Sequence, residues 1–341
     1  MATDFEEKLN TFIASKAMIP HSLGLWETYF KKMCLVWGEI APFIIPQHLI
    51  FAADNGISMD GLIGYTYDIT RKQSQNMIYG KSAAVNYCMY NNIPYEVVDV
   101  GLACDHAVGV DRKVRRGTRN IIQEAAMTDE EYQKAYDAGY ERAIYYINQG
   151  VNLISFGEMG VGNTTTSAAV LSALTHLDPK MTVGAGSGSP DEEAMERKRN
   201  FVRKALTLHK ESMHDVPSII AHVGGFDIAA ITGAMMACTD LSIPFVLDGF
   251  ITAVCLACAV ELNSKAKDLA IPSHCSRERG MQAALAYSNI APEEVPLYGH
   301  MALGEGTGAA LMVQLLKTTH AAFINMGTMD ELMRLSIVYI G

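Results

Sequence analysis

The chain has no run of about 18–20 apolar residues free of charge or glycine, so no membrane span is expected. It has no basic, then apolar, secretory leader either: the opening MATDFEEKLN is acidic and polar. Positive charge is in deficit. The net charge is −10, which argues against a nucleic-acid backbone or an anionic membrane as the main partner, so any anionic ligand must be held locally. Charged residues of both signs reach only 19% against 49% apolar residues, a balance that excludes a disordered chain. Cysteine is sparse and odd in number, seven in all, at 34, 88, 104, 238, 255, 258 and 275. That suits a reducing cytoplasm better than a disulfide framework. Cys255 and Cys258 form a C-x-x-C, but inside the apolar run ITAVCLACAVEL with no second pair, so they read as core packing. No internal repeat, low-complexity tract or linker is evident.

What is present is alternation. Short apolar runs, HLIFAA (48–53), YEVVDV (95–100), VNLISF (151–156), SIIAHV (218–223), PFVLDG (244–249) and VPLYGHMAL (295–303), alternate with longer helical patterns. Two of these helices are expected through RKQSQNMIYGKSAAVNYCMY and through TDEEYQKAYDAGYERAIYYINQG, the second capped by Thr128 with acids in its first turn. Strands of this length between helices predict an α/β fold, a parallel sheet with helices on both faces. Such sheets bind ligands beyond the C-terminal strand ends, where the glycine-rich junctions here fall. The first 45 residues and the last 20 or so carry no strand signal. The expected division is a large domain over 46–320 and a small helical domain from 1–45 and 321–341, built from both termini.

The densest junction is GEMGVGNTTTSAAV (157–170). Glycines at a strand end followed by a helix start offer unpaired N–H groups and a positive dipole end, suited to phosphate or carboxylate. The spacing is neither the dinucleotide fingerprint nor a Walker loop, and a capped structural turn explains the glycines equally well. Glu158 beside such a site needs another role, such as a ribose contact. In LGEGTGAAL (303–311), Glu305 stands between glycines before an Ala-rich helix; it is either a helix cap or a general base in a partly dry cleft. Further turns occur in VGGFDIAAITGA (223–234), LDGFITA (247–253) and IPSHCSRERG (271–280). There Gly249 and Ser276 could donate to phosphate oxygens, and Asp248 could cap a helix or meet a sugar. His274 and Asp99 invite a catalytic triad, but G-x-S-x-G is absent and no two histidines have metal-ligand spacing. Lys198, in DEEAMERKRNFVRKAL, reads on its own as one charge of a solvated helix face.

Taken in order, SLGLWE (22–27), AADNG (52–56), VVDVG (97–101), GEMGVGNTTT, VGGFD, LDGF, IPSHCS and HMALGEGTGAAL resemble the nicotinate-nucleotide:dimethylbenzimidazole phosphoribosyltransferase family of cobamide biosynthesis, over nearly the whole chain. The resemblance implies a Rossmann-like large domain, no cofactor and no metal. It also implies transfer of the phosphoribosyl group from nicotinate mononucleotide to an aromatic lower-ligand base with inversion at C1′. It makes Glu305 the general base. Gly160, Lys198, Gly249 and Ser276 match positions around the 5′-phosphate, and Gly304 joins the nucleotide site. Glu158 and Asp248 fall near the ribose or the base, Asn163 and Thr164 near the nicotinate, and Tyr65, Gln73, Met159 and Leu303 in the base pocket. Two positions depart from the family pattern: Asn55 stands where His is usual, and Tyr65 where Ser is frequent. The second opens the alternative of a phenol-accepting variant, and with it a pair of unlike subunits in place of a homodimer. A non-catalytic nucleotide-binding partner subunit is one remaining alternative; a nicotinamide-dependent oxidoreductase on a similar sheet is the other, although its phosphate fingerprint is absent.

Overall fold

The computed structural model describes residues 4–41, 43–58, 68–186 and 191–335. Six strands form one all-parallel sheet in the order β3-β2-β1-β4-β5-β6. The strands are β1 (Pro46–Ala53), β2 (Tyr95–Gly101), β3 (Val110–Asp111), β4 (Leu153–Met159), β5 (Phe245–Leu247) and β6 (Ala270–Pro272). The chain builds outward from β1 to β3, then returns to β4 on the other side of β1. The switch point therefore lies between β1 and β4, where a doubly wound sheet leaves a crevice for ligand.

Side chains alternate across each strand, and the sheet is covered on both faces. Leu49, Phe51, Val98, Val100, Ile154, Phe156, Phe245 and Leu247 point to one core. It is filled by helices including Asp129–Ile147, Asn163–Thr175, Phe226–Asp240 and Phe250–Leu262. Leu153, Val246 and Ile271 point the other way, onto Thr307–Asn325 and Leu25–Trp37. Ile50, Ala52 and Val97 do the same over Asp68–Ile78 and Ala83–Tyr90. The continuous burial of β1 is what a parallel strand covered on both sides requires. Cys255 and Cys258 are fully buried in the first core, and burial drives both thiol pKa values far up.

Several expected elements differ. SIIAHV is a helix, Val216–Val223, not a strand. Asp215 caps it, Pro217 opens it, and Ser218 completes a capping box with Asp215. A six-residue apolar run does not separate a buried strand from a buried helix; the flanking cap does. VPLYGHMAL forms no strand. Only Leu297 makes an isolated bridge, to His274, and the segment is exposed at Tyr298 and Leu303 with His300 at φ 52°. The helix expected through 71–90 is two, Asp68–Ile78 and Ala83–Tyr90, parted at Gly80 (φ 70°) and restarted by the Ser82 cap. Strands β3 and β6 carried no clear signal, being only two and three residues long. Thr128 does cap Asp129–Ile147, with Glu131 closing the box.

At the ends of the chain, Leu9, Ile13, Phe30 and Cys34 pack with Phe323 in a separate small cluster. An antiparallel bridge joins Lys16 to Thr328. The helix Thr307–Asn325 runs unbroken from the sheet into that cluster. No helix among the described residues is long and apolar enough to cross a membrane.

Candidate active site

A cavity of about 890 Å³ opens beyond the C-terminal ends of β4, β5 and β6. The helices Asn163–Thr175, Phe250–Leu262 and Thr307–Asn325 all begin at or beside its wall. Their N-terminal ends aim unpaired N–H groups and positive dipole ends at one region, a favourable setting for an anion. The wall contains Gln73, Glu158, Met159, Gly160, Asn163, Thr164, Lys198, Asp248, Gly249, Ser276, Leu303, Gly304 and Glu305. Every site residue expected from the sequence thus meets here except Tyr65, which lies outside the described residues.

Glu305 sits on an unusual turn. Gly304, Glu305 and Gly306 all have positive φ, at 77°, 63° and 86°. Glycine takes this conformation without a Cβ clash, but for glutamate it costs about 1–2 kcal/mol. The surrounding structure over-determines it. The Glu305 N–H donates to Glu158 Oε1 at 3.2 Å. Asp248 secures the next residues: its Oδ1 accepts from Gly308 (2.7 Å) and Ala309 (3.1 Å), and its Oδ2 from Gly306 (3.3 Å). Of the two roles open to Asp248, the cap is the one its hydrogen bonds make.

The Glu305 side chain is buried against the cavity, 6% exposed. Gln73 Nε2 donates to its Oε1 at 2.6 Å, and Asn76 Nδ2 donates to Gln73 Oε1 at 3.2 Å, which fixes the orientation of the Gln73 amide. Glu305 Oε2 has no hydrogen-bond partner among the described residues. Burial pushes the Glu305 pKa up; the Gln73 amide and the neighbouring Ser82 hydroxyl oppose the shift, and the Asp248 charge adds to it. The result is a buried carboxylate with Oε1 held by Gln73 and Oε2 left without a partner of normal geometry among the described residues.

Behind it lies a second acid pair. Asn163 Nδ2 donates to Glu158 Oε2 and, at 3.2 Å, to Asp227 Oδ2. Burial and the neighbouring Asp227 charge raise the Glu158 pKa to about 8. Burial raises Asp227 to about 6, opposed by the Asn163 hydrogen bond. Two carboxylates bridged by one amide cannot both ionise cheaply, so burial and mutual repulsion favour a proton shared by the pair. Asn55 is buried near the same junction. Its Oδ1 accepts from Thr166 Oγ1 (3.3 Å) and its Nδ2 donates to the Val161 carbonyl (3.4 Å).

The opposite end of the cavity is cationic. Lys198 Nζ donates to the Ala185 carbonyl at 3.3 Å, and burial lowers its pKa while Glu278 opposes that shift. This helix, Glu192–His209, is not solvated all round; Lys198 and Arg197 both border the cleft, and Arg197 also pairs with Glu193 at 2.8 Å. Glu278 Oε1 accepts from Gly186 N–H at 2.7 Å, and its own N–H donates to Ser276 Oγ at 3.2 Å. Sequence reasoning singled out neither Asp227 nor Glu278, although both stand inside quoted motifs. It also passed over Asn76 and the buried His48. His274, one half of the weighed triad, lines the cavity, whereas Asp99 binds the backbone of Gly101, Leu102 and Val108. Among the described residues no cluster of three or more His, Cys, Asp or Glu could hold a metal ion.

A phosphoribosyltransferase family model matches residues 1–332. A protein of Acetivibrio thermocellus named nicotinate-nucleotide–dimethylbenzimidazole phosphoribosyltransferase is 36% identical, over 91% of this chain and 88% of that one. The chain belongs to this phosphoribosyltransferase family. A Shewanella loihica protein of the same name is 33% identical over 97% of both chains. Among solved structures, CobT of Thermus thermophilus matches with a TM-score of 0.89 at 31% identity, over 98% of this chain and all of that one. Family membership makes the protein a pentosyltransferase on the α/β fold described above.

Proposed function

We propose that this cleft moves the 5-phosphoribosyl group from nicotinate mononucleotide to an aromatic base such as 5,6-dimethylbenzimidazole, with Glu305 as the general base. The observation that carries the reading is the buried Glu305 carboxylate, with Oε1 held by Gln73 and Oε2 unpaired among the described residues. The C1′–N bond of the nucleotide breaks with its electron pair on the pyridinium nitrogen, which leaves as neutral-ring nicotinate and needs no acid. The incoming nitrogen bonds to the opposite face of C1′, which inverts β to α. The N–H proton of the base's other ring nitrogen passes to Glu305 Oε2. Positioned general bases of this kind contribute typically about 10²–10⁴-fold.

The remaining residues divide by charge. Lys198, the backbone at Gly160 and Gly249, and Ser276 hold the 5′-phosphate at the cationic end. Glu158, neutral while it keeps its proton, lets the ribose approach without repelling the phosphate. Gly304 gives the backbone close access to the nucleotide, and Asn163 and Thr164 border the leaving nicotinate. Gln73, Met159 and Leu303 flank the base. In this reading 46–320 carries the chemistry and the terminal helices form a smaller domain, with two copies of the chain expected in solution.

The deciding experiment combines Glu305→Gln with a base-competition assay. Nicotinate mononucleotide is offered with dimethylbenzimidazole, adenine, phenol and p-cresol, and the products are weighed by mass spectrometry. Wild type is expected to prefer the benzimidazole and to work as a single purified chain. Preference for p-cresol, or activity only with an added unlike subunit, would replace the base or the assembly in this reading. Unchanged turnover in Glu305→Gln would remove the mechanism.

A further inference from the structure

Beneath the Glu305 turn lies a histidine to which the reaction above gives no part. His48 is fully buried in β1, directly across from Ser155 in the β1/β4 register. Its Nδ1 lies 2.7 Å from Ser155 Oγ. The hydroxyl has one hydrogen and two candidate acceptors, His48 Nδ1 and the Gln47 carbonyl at 3.5 Å. Giving that hydrogen to the shorter contact makes Nδ1 the acceptor and puts the ring proton on Nε2.

His48 Nε2 faces the catalytic turn and has no hydrogen-bond partner of normal geometry among the described residues. Its neighbour there is the backbone carbonyl of Glu305. A Cβ built on Gly157 would stand 2.5 Å from Glu305 O and 3.0 Å from His48 Nε2, so the three meet at one point. A Cβ on Gly306 would collide with the same ring nitrogen. Glycines on both sides thus admit the imidazole edge to the left-handed peptide. Burial keeps the ring neutral, with its pKa lowered to about 4 against the pull of Asp248 and of the Glu305 carbonyl.

We propose that His48, as the neutral Nε2–H tautomer held by Ser155, is a positioning residue that braces the Glu305 carbonyl from below. The Glu305 peptide is then gripped at both ends, its N–H by Glu158 and its carbonyl by His48. Hydrogen bonds that are long without substrate commonly tighten in the reacting complex. The brace rests on the reading of Glu305 as general base, and it acts on kcat rather than on nucleotide binding.

The test joins a spectroscopic readout to kinetics. In ¹⁵N-labelled wild type, two-bond ring correlations assigned by loss of the signal in His48→Gln are expected to show Nε2 protonated and Nδ1 bare at neutral pH. An Nδ1–H tautomer or an imidazolium overturns the proposal. In kinetics, His48→Leu is expected to lower kcat about 10- to 100-fold with the nucleotide KM held within about 3-fold, the cost of a misaligned catalytic group. His48→Gln, whose amide places a donor near the Nε2 position, recovers most of that loss. Wild-type kcat in His48→Leu, or equal impairment of both variants with native circular dichroism, overturns it too. If wild type releases no nicotinate from nicotinate mononucleotide, the proposed reaction falls, and the tautomer still decides whether His48 braces the turn.

Discussion

Around Glu305, carboxylates and amides are tied to one another: Gln73 to Glu305, Glu305 to Glu158, Glu158 through Asn163 to Asp227. Around Lys198, the polar groups bind mostly backbone: Lys198 to the Ala185 carbonyl, Glu278 to the Gly186 N–H, Ser276 to the Met301 carbonyl. The first end is a connected network that fixes the orientation of the Glu305 carboxylate. The second is a set of local clamps that shape loops around one cation. Connected networks respond as a unit when a member is removed, whereas local clamps give independent losses. The acid end should therefore govern kcat and the cationic end KM.

Breaking that division is the most direct check. Glu305→Gln should cut single-turnover nicotinate release about 10²–10⁴-fold, with calorimetric affinity for the nucleotide nearly unchanged. Lys198→Met should do the reverse, raising the nucleotide KM about 10- to 100-fold, the worth of a charged phosphate contact, while kcat at saturation changes little. An equal fall in both parameters for either variant would dissolve the distinction.

Gln73→Ala sharpens it. The Gln73 amide favours the charged form of Glu305. Its removal raises the Glu305 pKa, and because the base must be deprotonated, the acid limb of the kcat–pH profile should move to higher pH. A profile recorded from pH 5 to 9 reads the displacement, and a shift to lower pH contradicts the network.

The smallest effect is on stability. Glu158 has a folded pKa of about 8 against an ordinary 4.5. Between those values the folded state holds more protons than the unfolded chain, so stability falls as pH rises through this window. Urea titrations of wild type should lose on the order of 1 kcal/mol per pH unit there, and Glu158→Gln should flatten the slope. A slope of opposite sign in wild type would mean that the Glu158–Asp227 pair does not share a proton.

Much of this site is legible in the chain because its parts sit in contiguous glycine-rich junctions that lead into helices. GEMGVGN and LGEGTG announce Glu158 and Glu305 by their flexible neighbours, and the parallel sheet carries them to one crevice. Their contact, across 147 residues of sequence, leaves no local trace. His48 is hidden for another reason: in an apolar strand a lone histidine looks like any buried residue, and only the register with Ser155 gives it a partner. Lys198 stands in a run of charges whose periodicity says solvent, and only its packing against the Ala185 carbonyl in the fold distinguishes it from the more exposed Arg197. The error at SIIAHV came from weighing apolar content over the Asp-Val-Pro-Ser start that precedes it. The error at VPLYGHMAL came from passing over Pro296 and Gly299, which interrupt any ladder.

The seam where Gly157 meets the Glu305 carbonyl has a bearing on redesign. With strand backbone pressed against turn backbone, a side chain added at Gly157 would have to displace the Glu305 turn. The side chains of Ile69, Met159 and the half-exposed Leu303 line the cavity and are not locked in that seam. A library confined to those side chains would change the cavity wall while the Glu305 turn keeps its place.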